Sequence, residues 1–579
     1  MKNLMKIEFS TLLNDSNCIK NLETHEYIIT SPLIEAEGNF QITCPMKISS
    51  SAKTLIKCDI IEVFSNSVSF SNMSFETTII VDTSNDFTFQ DCKIRSTKKF
   101  ADSVISIASS QNILINRCKI TESTDCSGII INYDSVVSIK NTEISHHPNS
   151  LLICGNGSTV TISNCNLHHS NGNGIYWIND GDVQIDHCTI TDTKYPPILL
   201  NGPKCNISNN IIQNCPQDGI CVYNSAKFTI EDNTISKVGS SAISVRSEAK
   251  GIIKSNKITD TGGNGAYIEF SNVQLFDNIF DHTAYPGVVI MNQSTATLKG
   301  NKITNIKACG IAGRNAKSIT IIENEIDEIS ECGISLSSTE NCRIESNKIS
   351  NCAISSVESY NKSNSFILNN SISQIGKYAF LSYTSGQIKA ENNQIDHIGE
   401  SMVKLSHKGR GEFINNQVTN CSNQFVNKTS SLYYFAKNGQ FENVTNDIEK
   451  AEENSIKFEK TSVNDDLTLC MKCNERKRDC YLIKCGHRVF CRECALMSLQ
   501  NNEKCPLCRF PIIQISEGFK MNNDDLCILC FENKPDTIIM PCGHTGVCSK
   551  CLNNWLKENR VCPCCRTSNP YYNKIETSL

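Results

Sequence analysis

The stretch IEDNTI at residues 230–235 returns as IKSNKI at 253–258, LFDNIF at 275–280 and LKGNKI at 298–303. The shared pattern is apolar-x-x-Asn-x-apolar. Extended in both directions, its fourth position falls at Cys92, Cys118, Thr142, Cys165, Cys188, Asn210, Asn233, Asn256, Asn278, Asn301, Asn324, Asn347, Asn370, Asn393 and Asn416. After the first two steps every interval is 22 or 23 residues. Such a period over fifteen copies predicts a solenoid, because each unit is too small to bury an apolar face without its neighbours.

Three residues before the repeated corner stand Phe89, Ile115, Ile139, Ile162 and their successors, and two residues after it every position is apolar, mostly Ile. β-branched residues on a two-residue alternation indicate short strands, and the unit lacks the helical stretch and leucine pattern of leucine-rich repeats. Each repeat therefore predicts one coil of a parallel β-helix with about 23 residues per coil, occupying residues 1–445 in an all-β solenoid. In stacked coils, equivalent side chains lie about 4.8 Å apart. The Asn column from Asn210 to Asn416 is then expected to hydrogen-bond along the stack, with the Cys run from Cys92 to Cys188 as small filler.

Nine residues past the corner comes a small residue, at Gly174, Gly219, Ala242, Gly265, Gly287, Gly310 and Gly333, which predicts a tight turn with unusual dihedrals. A further strand follows, with inward residues such as Ile243 and Val245. The alternate positions are expected to face solvent, and there stand Tyr176, Tyr223, Arg246, Tyr267, Met291, Arg314, Tyr360 and Tyr383. These residue types favour recognition surfaces, so they form the candidate substrate-binding face.

From residue 470 the chemistry changes. Cys470, Cys473, Cys485, His487, Cys491, Cys494, Cys505 and Cys508 form an eight-ligand array that recurs at Cys527, Cys530, Cys542, His544, Cys548, Cys551, Cys562 and Cys565. Thiolates and imidazoles at CxxC spacing suit tetrahedral Zn(2+). Eight ligands per module fill two closed structural sites, which predicts four ions and no open position for a catalytic water. Cys480 and Cys564 fall outside the spacing. Residues 446–466 are charged and predict a linker, followed by zinc modules at 467–512 and 525–570, with a second linker at 513–524.

The repeat resembles the right-handed parallel β-helices of pectate-lyase-like proteins and of the carbohydrate-binding and sugar-hydrolase type, a family with both catalytic and non-catalytic members. The tail resembles two RING fingers, small zinc-stapled α+β domains. That resemblance implies interleaved ligation: Cys470, Cys473, Cys491 and Cys494 share one ion, and Cys485, His487, Cys505 and Cys508 the other. In the second module the sets become Cys527, Cys530, Cys548 and Cys551, then Cys542, His544, Cys562 and Cys565. It further implies a RING-type E3 ubiquitin ligase, which holds a ubiquitin-charged conjugating enzyme without forming a covalent intermediate.

In that family the conjugating enzyme docks on an apolar residue, a helix aromatic and a proline, with a linchpin arginine. The second module matches with Ile528, Trp555, Pro563 and Arg566. The first offers Met471, Pro506 and Arg509, but has Ser498 in the aromatic slot and the apolar FPIIQI after its last ligand, which suggests pairing between RINGs. The arginine's planar fork of donors suits bonds to carbonyls of two partners at once.

Net charge is −5, so no basic face calls for nucleic acid, and no long apolar run calls for a membrane. The opening residues lack a secretory apolar stretch. Of the 33 cysteines, the 17 outside the tail lack disulfide-scaffold spacing, and the expectation is a reducing, cytoplasmic or nuclear location. Sugar cleavage would draw on Asp281 and Asp327, equivalent positions two coils apart, although turn aspartates are usually turn formers. His146, His147, His168 and His169 sit on consecutive coils in registers read as offset by one, as in a solvated loop. The expected function is a RING-type ligase whose β-helix recognises a protein substrate. The alternatives are a zinc-binding scaffold without activity, and a carbohydrate-binding or -cleaving β-helix with a regulatory tail.

Overall fold

One coil illustrates the construction. Lys227–Glu231, Thr234–Val238 and Ile243–Val245 are short strands in which Phe228, Ile230, Ile235, Ile243 and Val245 point inward and are at most 5% exposed. Each strand pairs in parallel with its counterpart on the next coil, Lys250–Lys254, Lys257–Thr261 and Ala266–Glu269. Between these coils the register holds residue for residue, and along the stack the inward Ile, Leu and Val columns form one continuous core.

The computed structural model divides into two units, Met1–Ile456 and Lys457–Leu579. It describes residues 7–14, 16–97, 101–427, 432–436 and 441–442 of the first. In the second it describes 470, 472–473, 476, 480–482, 489–501, 503–505, 512, 515–517, 530, 537–540, 547–559 and 571–574. The proposed linker at 446–466 lies outside the described residues. None of the described helices is long and apolar enough to cross a membrane.

The corner column is bonded throughout. Asn256 Oδ1 accepts from both the backbone N–H and Nδ2 of Asn233, while Asn233 Nδ2 also reaches the carbonyls of Ile207 and Glu231, all at 2.9–3.0 Å. The same arrangement repeats along the stack to Asn416, and these side chains are at most 2% exposed. The cysteine run does more than fill space: the Cys188 thiol donates to the carbonyls of Ile162 and Asp186, as Asn233 Nδ2 does to those of Ile207 and Glu231. Thiol donors are weaker, so this end of the ladder is the softer one.

The small residues nine positions on have a different cause from the one expected. Gly219, Gly287, Gly310 and Gly333 are absent from the residues with positive φ. Instead, a Cβ on Gly310 would lie 2.6 Å from the Gly333 carbonyl oxygen, and one on Gly287 would lie 2.9 Å from that of Gly310. At these glycines the close approach of successive coils leaves no room for a Cβ without a shift. Left-handed backbone falls elsewhere, immediately before the ladder (Asp232, φ 56°) and four residues after it (Lys237, φ 53°).

The first coils are less regular but already parallel, with Asn39–Ile42, Met46–Ser50 and Leu55–Val63 in the sheets. Phe9, Phe70, Phe75, Phe87 and Phe89 pack edge-to-face and stacked inside this end. An antiparallel hairpin, Cys18–Asn21 with Glu26–Ile29, begins the stack on one sheet.

In the second unit, strand Cys480–Leu482 pairs antiparallel with Ile515–Glu517, and Thr537–Met540 with Tyr571–Lys574. Each module thus recruits a closing strand beyond the bounds of 512 and 570 read from ligand spacing. Helices α1 (Arg492–Gln500) and α2 (Ser549–Asn559) follow the central ligands.

Candidate zinc centres and recognition face

The two CxxC pairs of the first module converge although eighteen residues separate Cys473 from Cys491. The sulfurs of Cys470, Cys473, Cys491 and Cys494 all lie within 4.8 Å of one another, and Cys473 to Cys491 is 3.8 Å. A tetrahedron with Zn–S bonds of about 2.3 Å has sulfur–sulfur edges of about 3.8 Å, so the donor set fits zinc. Cys491 stands at the N-cap of α1, and Cys494 lies in the first turn of that helix, which brings both thiols to one end.

Burial works against a thiolate at Cys470, yet backbone N–H groups of Cys473, Cys491 and Lys472 outweigh it and bring the thiol down to about 6. A site built to hold thiolates needs such donors. Buried Cys480, in strand Cys480–Leu482, belongs to the apolar core of the module and not to this cluster.

In the second module Cys530, Cys548 and Cys551 form the corresponding group, with Cys530 and Cys548 4.0 Å apart. Cys505 is buried in the first module. Outside the described residues lie the remaining sequence-predicted ligands Cys485, His487, Cys508, Cys527, Cys542, His544, Cys562 and Cys565. The docking residues Met471, Pro506, Arg509, Ile528, Pro563 and Arg566, and the extra Cys564, lie outside them as well.

Two docking positions can be compared directly. Trp555 stands on α2, half-buried, one turn after Cys551 and close to buried Leu552. Its counterpart Ser498 on α1 is fully buried, and its hydroxyl lies 3.1 Å from Lys472 Nζ. Lys472 also reaches both carboxylate oxygens of Glu503, at 2.7 and 2.9 Å. An ion pair thus occupies the slot that an aromatic holds in the second module, a feature hidden from sequence because the pair spans 31 residues.

On the β-helix, the eight candidate recognition residues share one sheet, but they do not stand free in solvent as expected. Met291 is only 5% exposed, and Ser244, Ala312, Ser335 and Ser337 between the larger residues are at most 2% exposed. Side chains one strand spacing apart cover one another. Arg246 lies over the rings of Tyr267 and Tyr223, at 4.8 and 5.9 Å. Arg314 lies 5.6 Å from the centre of Tyr360, which stacks on Tyr383 at 4.9 Å. Glu358, unnoticed in the sequence, joins this group by accepting from Ser335 Oγ at 2.6 Å and Tyr383 Oη at 3.0 Å. Tyr176 is half-buried on the same sheet.

Asp281 and Asp327 occupy equivalent register on either side of Thr304. Each caps the next coil, Asp281 accepting from Thr304 and Asn305, and Asp327 from Ser350 and Asn351. Although burial opposes ionisation, these hydrogen bonds hold both carboxyls below their ordinary values, the reverse of a general acid's requirement. His146 and His169 are not offset: both occupy the left-handed position four residues after the corner, and their rings stack at 4.8 Å. His147 turns inward and is 2% exposed.

Comparison with known proteins agrees with both parts. The profile of the right-handed beta helix region family matches residues 150–295, 248–395 and 286–465, and that of the C3HC4-type zinc finger (RING finger) matches 466–515 and 523–570. The chain belongs to the right-handed β-helix family and carries two RING fingers at its C-terminal end. It is 41% identical over 59 residues to E3 ubiquitin ligase BIG BROTHER-related of Arabidopsis thaliana, covering 10% of this chain and 17% of that protein. It is 36% identical over 47 residues both to E3 ubiquitin-protein ligase NEURL3 of Rattus norvegicus, at 8% and 18% coverage, and to RING finger protein 141 of Danio rerio, at 8% and 20%.

The chain therefore spans a fifth or less of the length of these curated relatives. Among solved structures, a mutant of the periplasmic alginate epimerase AlgG covers 58% of this chain and 82% of its own at 12% identity and a TM-score of 0.34. The A-module of Azotobacter vinelandii mannuronan C-5 epimerase AlgE4 covers 60% and 87% at 13% identity, with a TM-score of 0.24.

Proposed function

We propose that the chain is a RING-type E3 ubiquitin-protein ligase in which the β-helix binds a protein substrate and the tail recruits a ubiquitin-charged conjugating enzyme, chiefly through the second RING. The observation that carries this reading is the closed tetrathiolate geometry of Cys470, Cys473, Cys491 and Cys494, set in a RING tail whose curated relatives include E3 ligases. Zinc in such a site has no open position and supplies structure rather than chemistry. The contrast between Ser498, tied to Lys472, and half-buried Trp555 favours the second module as the docking one.

In this reading Ile528, Trp555 and Pro563 seat the conjugating enzyme, and Arg566 orients the thioester-linked ubiquitin by bonding carbonyls of both partners. The first RING pairs with a RING, in the same or another chain, and its Met471, Pro506 and Arg509 are secondary. Four structural zinc ions hold the tail. The described cysteines of the β-helix form no disulfide and are mostly buried, which supports a reducing compartment, cytoplasmic or nuclear. The capping roles of Asp281 and Asp327 weigh against sugar cleavage.

The test is single-turnover discharge of ubiquitin from a charged conjugating enzyme onto free lysine. Acceleration by the zinc-loaded chain, lost in Arg566→Ala, supports the ligase. Zinc-loaded chain that leaves the discharge rate unchanged across a panel of conjugating enzymes supports the scaffold instead.

A further inference from the structure

Arg246 and Arg314 stand on the same column of the same sheet, three coils apart, yet their guanidinium groups have different fates. Arg314 Nη1 donates to the carbonyls of Gly313 and Ser335 at 2.9 and 2.8 Å, and its Nη2 reaches Ser335 Oγ at 3.1 Å. The Arg246 guanidinium has no hydrogen bond or ion pair among the described residues. Its Nε is buried and unsatisfied, and so is the hydroxyl of Ser244, fully buried two residues back on the same face.

A half-buried cation with orphaned donors is a costly arrangement unless something completes it. The phenol rings of Tyr223 and Tyr267 cover the guanidinium faces but supply no acceptor in its plane. Two carboxylates lie near enough to influence it, those of Asp218 and Glu269, and both are engaged elsewhere. Asp218 accepts from the Ser241 backbone N–H and the Cys221 thiol, and Glu269 accepts from Asn292 Nδ2. An incoming group would meet a guanidinium that lacks a hydrogen-bonded counter-ion, with two carboxylates in range that are bonded to other donors. A single planar carboxylate can bond the guanidinium edge, and the two resident carboxylates repel it less than they would a dianion such as phosphate.

We propose that Arg246, framed by Tyr223 and Tyr267 with Ser244 beside it, is the recognition site for a carboxylate of the protein substrate, an Asp or Glu side chain in an acidic segment lying along this sheet. The site deepens the ligase reading and rests on it for the assignment of the carboxylate to a protein substrate.

The test uses full-length, zinc-loaded chain and fluorescence anisotropy with fluorescein-labelled hexaglutamate and hexaglutamine peptides. Hexaglutamate binds at least about tenfold more tightly than hexaglutamine, and Arg246→Gln removes about that factor, while Arg314→Gln changes it less than twofold. Arg246→Lys keeps the charge but not the planar fork and also weakens binding, with unchanged circular dichroism as the check on folding.

Equal binding of the two peptides, or full affinity in Arg246→Gln, overturns the site. Tighter binding of hexaphosphoserine overturns the preference for a monoanion, and binding of oligogalacturonate without hexaglutamate overturns the assignment to protein. Autoubiquitination measured on the same samples separates the two readings. Intact autoubiquitination without discrimination between peptides sinks the carboxylate site alone, and discrimination without ubiquitin transfer sinks the ligase alone.

Discussion

Lys472 Nζ lies 3.1 Å from the hydroxyl of Ser498 and is held there by both oxygens of Glu503. The first RING thereby closes with polar groups the helix position that the second gives to Trp555. The two modules should differ sharply in function: Arg566→Ala slows ubiquitin discharge by about 100-fold, the order of loss expected when a reacting group is mispositioned, whereas Arg509→Ala slows it less than about twofold. Discharge kinetics with each single variant check this, and equal losses would assign docking to both modules.

The asparagine ladder predicts a position-dependent stability pattern. Asn301→Ala removes an acceptor used by the Asn278 backbone and side chain, and donors to Leu275, Lys299 and Asn324. Leaving such groups buried and unpaired costs about 2–4 kcal/mol. Asn210→Cys, beside the cysteine end of the column, should cost clearly less. Urea unfolding followed by circular dichroism distinguishes the two, and equal destabilisation would mean that the column is held by packing alone.

Glycines that face the next coil predict strain without any dihedral cause. Gly310→Ala places a methyl group against the Gly333 carbonyl and should destabilise by about 1–3 kcal/mol through overpacking. A thermal midpoint equal to that of the parent protein would show that the coils can part.

Two groups give the β-helix a defined acid sensitivity. Burial holds His147 down to about 4 from an ordinary 6.5. A neutral imidazole favoured by the fold stabilises most above the unfolded value, so this contribution, about 3 kcal/mol, is lost as pH falls from 6.5 towards 4. Asp396 behaves likewise in a lower window. Although burial opposes ionisation, hydrogen bonds from Thr419, Asn420 and His397 hold it at about 2, and its contribution fades as pH falls from 3.8 towards 2. Urea midpoints measured against pH should lose the upper step in His147→Gln and the lower step in Asp396→Asn.

Much of this architecture was legible because a solenoid repeats one environment. Once Asn233 and Asn256 are aligned, the inward Ile columns and the outward Tyr–Arg column follow by counting. What counting could not supply is the cause of a small residue: Gly310 reads the same whether a dihedral or a neighbouring carbonyl excludes its side chain. Nor could it show that Arg314 is satisfied by Ser335 while Arg246 is not, since that depends on rotamers within one column. In the tail, ligand spacing gave the metal-binding residue types, but the Lys472–Glu503 pair and the closing strand Ile515–Glu517 arise only when the loops fold around the centres.

Metal content bears on the tail alone. Four zinc ions per chain are expected, and a chelator should abolish the helical signal of α1 and α2 while leaving the β-helix spectrum in place, because the apolar clusters around Cys470 and Cys548 are small and depend on the metal for closure. Two ions per chain would restrict closure to one module.

The most direct measurement is autoubiquitination of the zinc-loaded full-length chain in a reconstituted reaction with activating enzyme, conjugating enzymes and ubiquitin. Ubiquitin conjugates on the chain are expected, lost in Arg566→Ala and retained in Arg246→Gln. Zinc-replete chain that forms no conjugates with any of a broad set of conjugating enzymes would contradict the ligase reading.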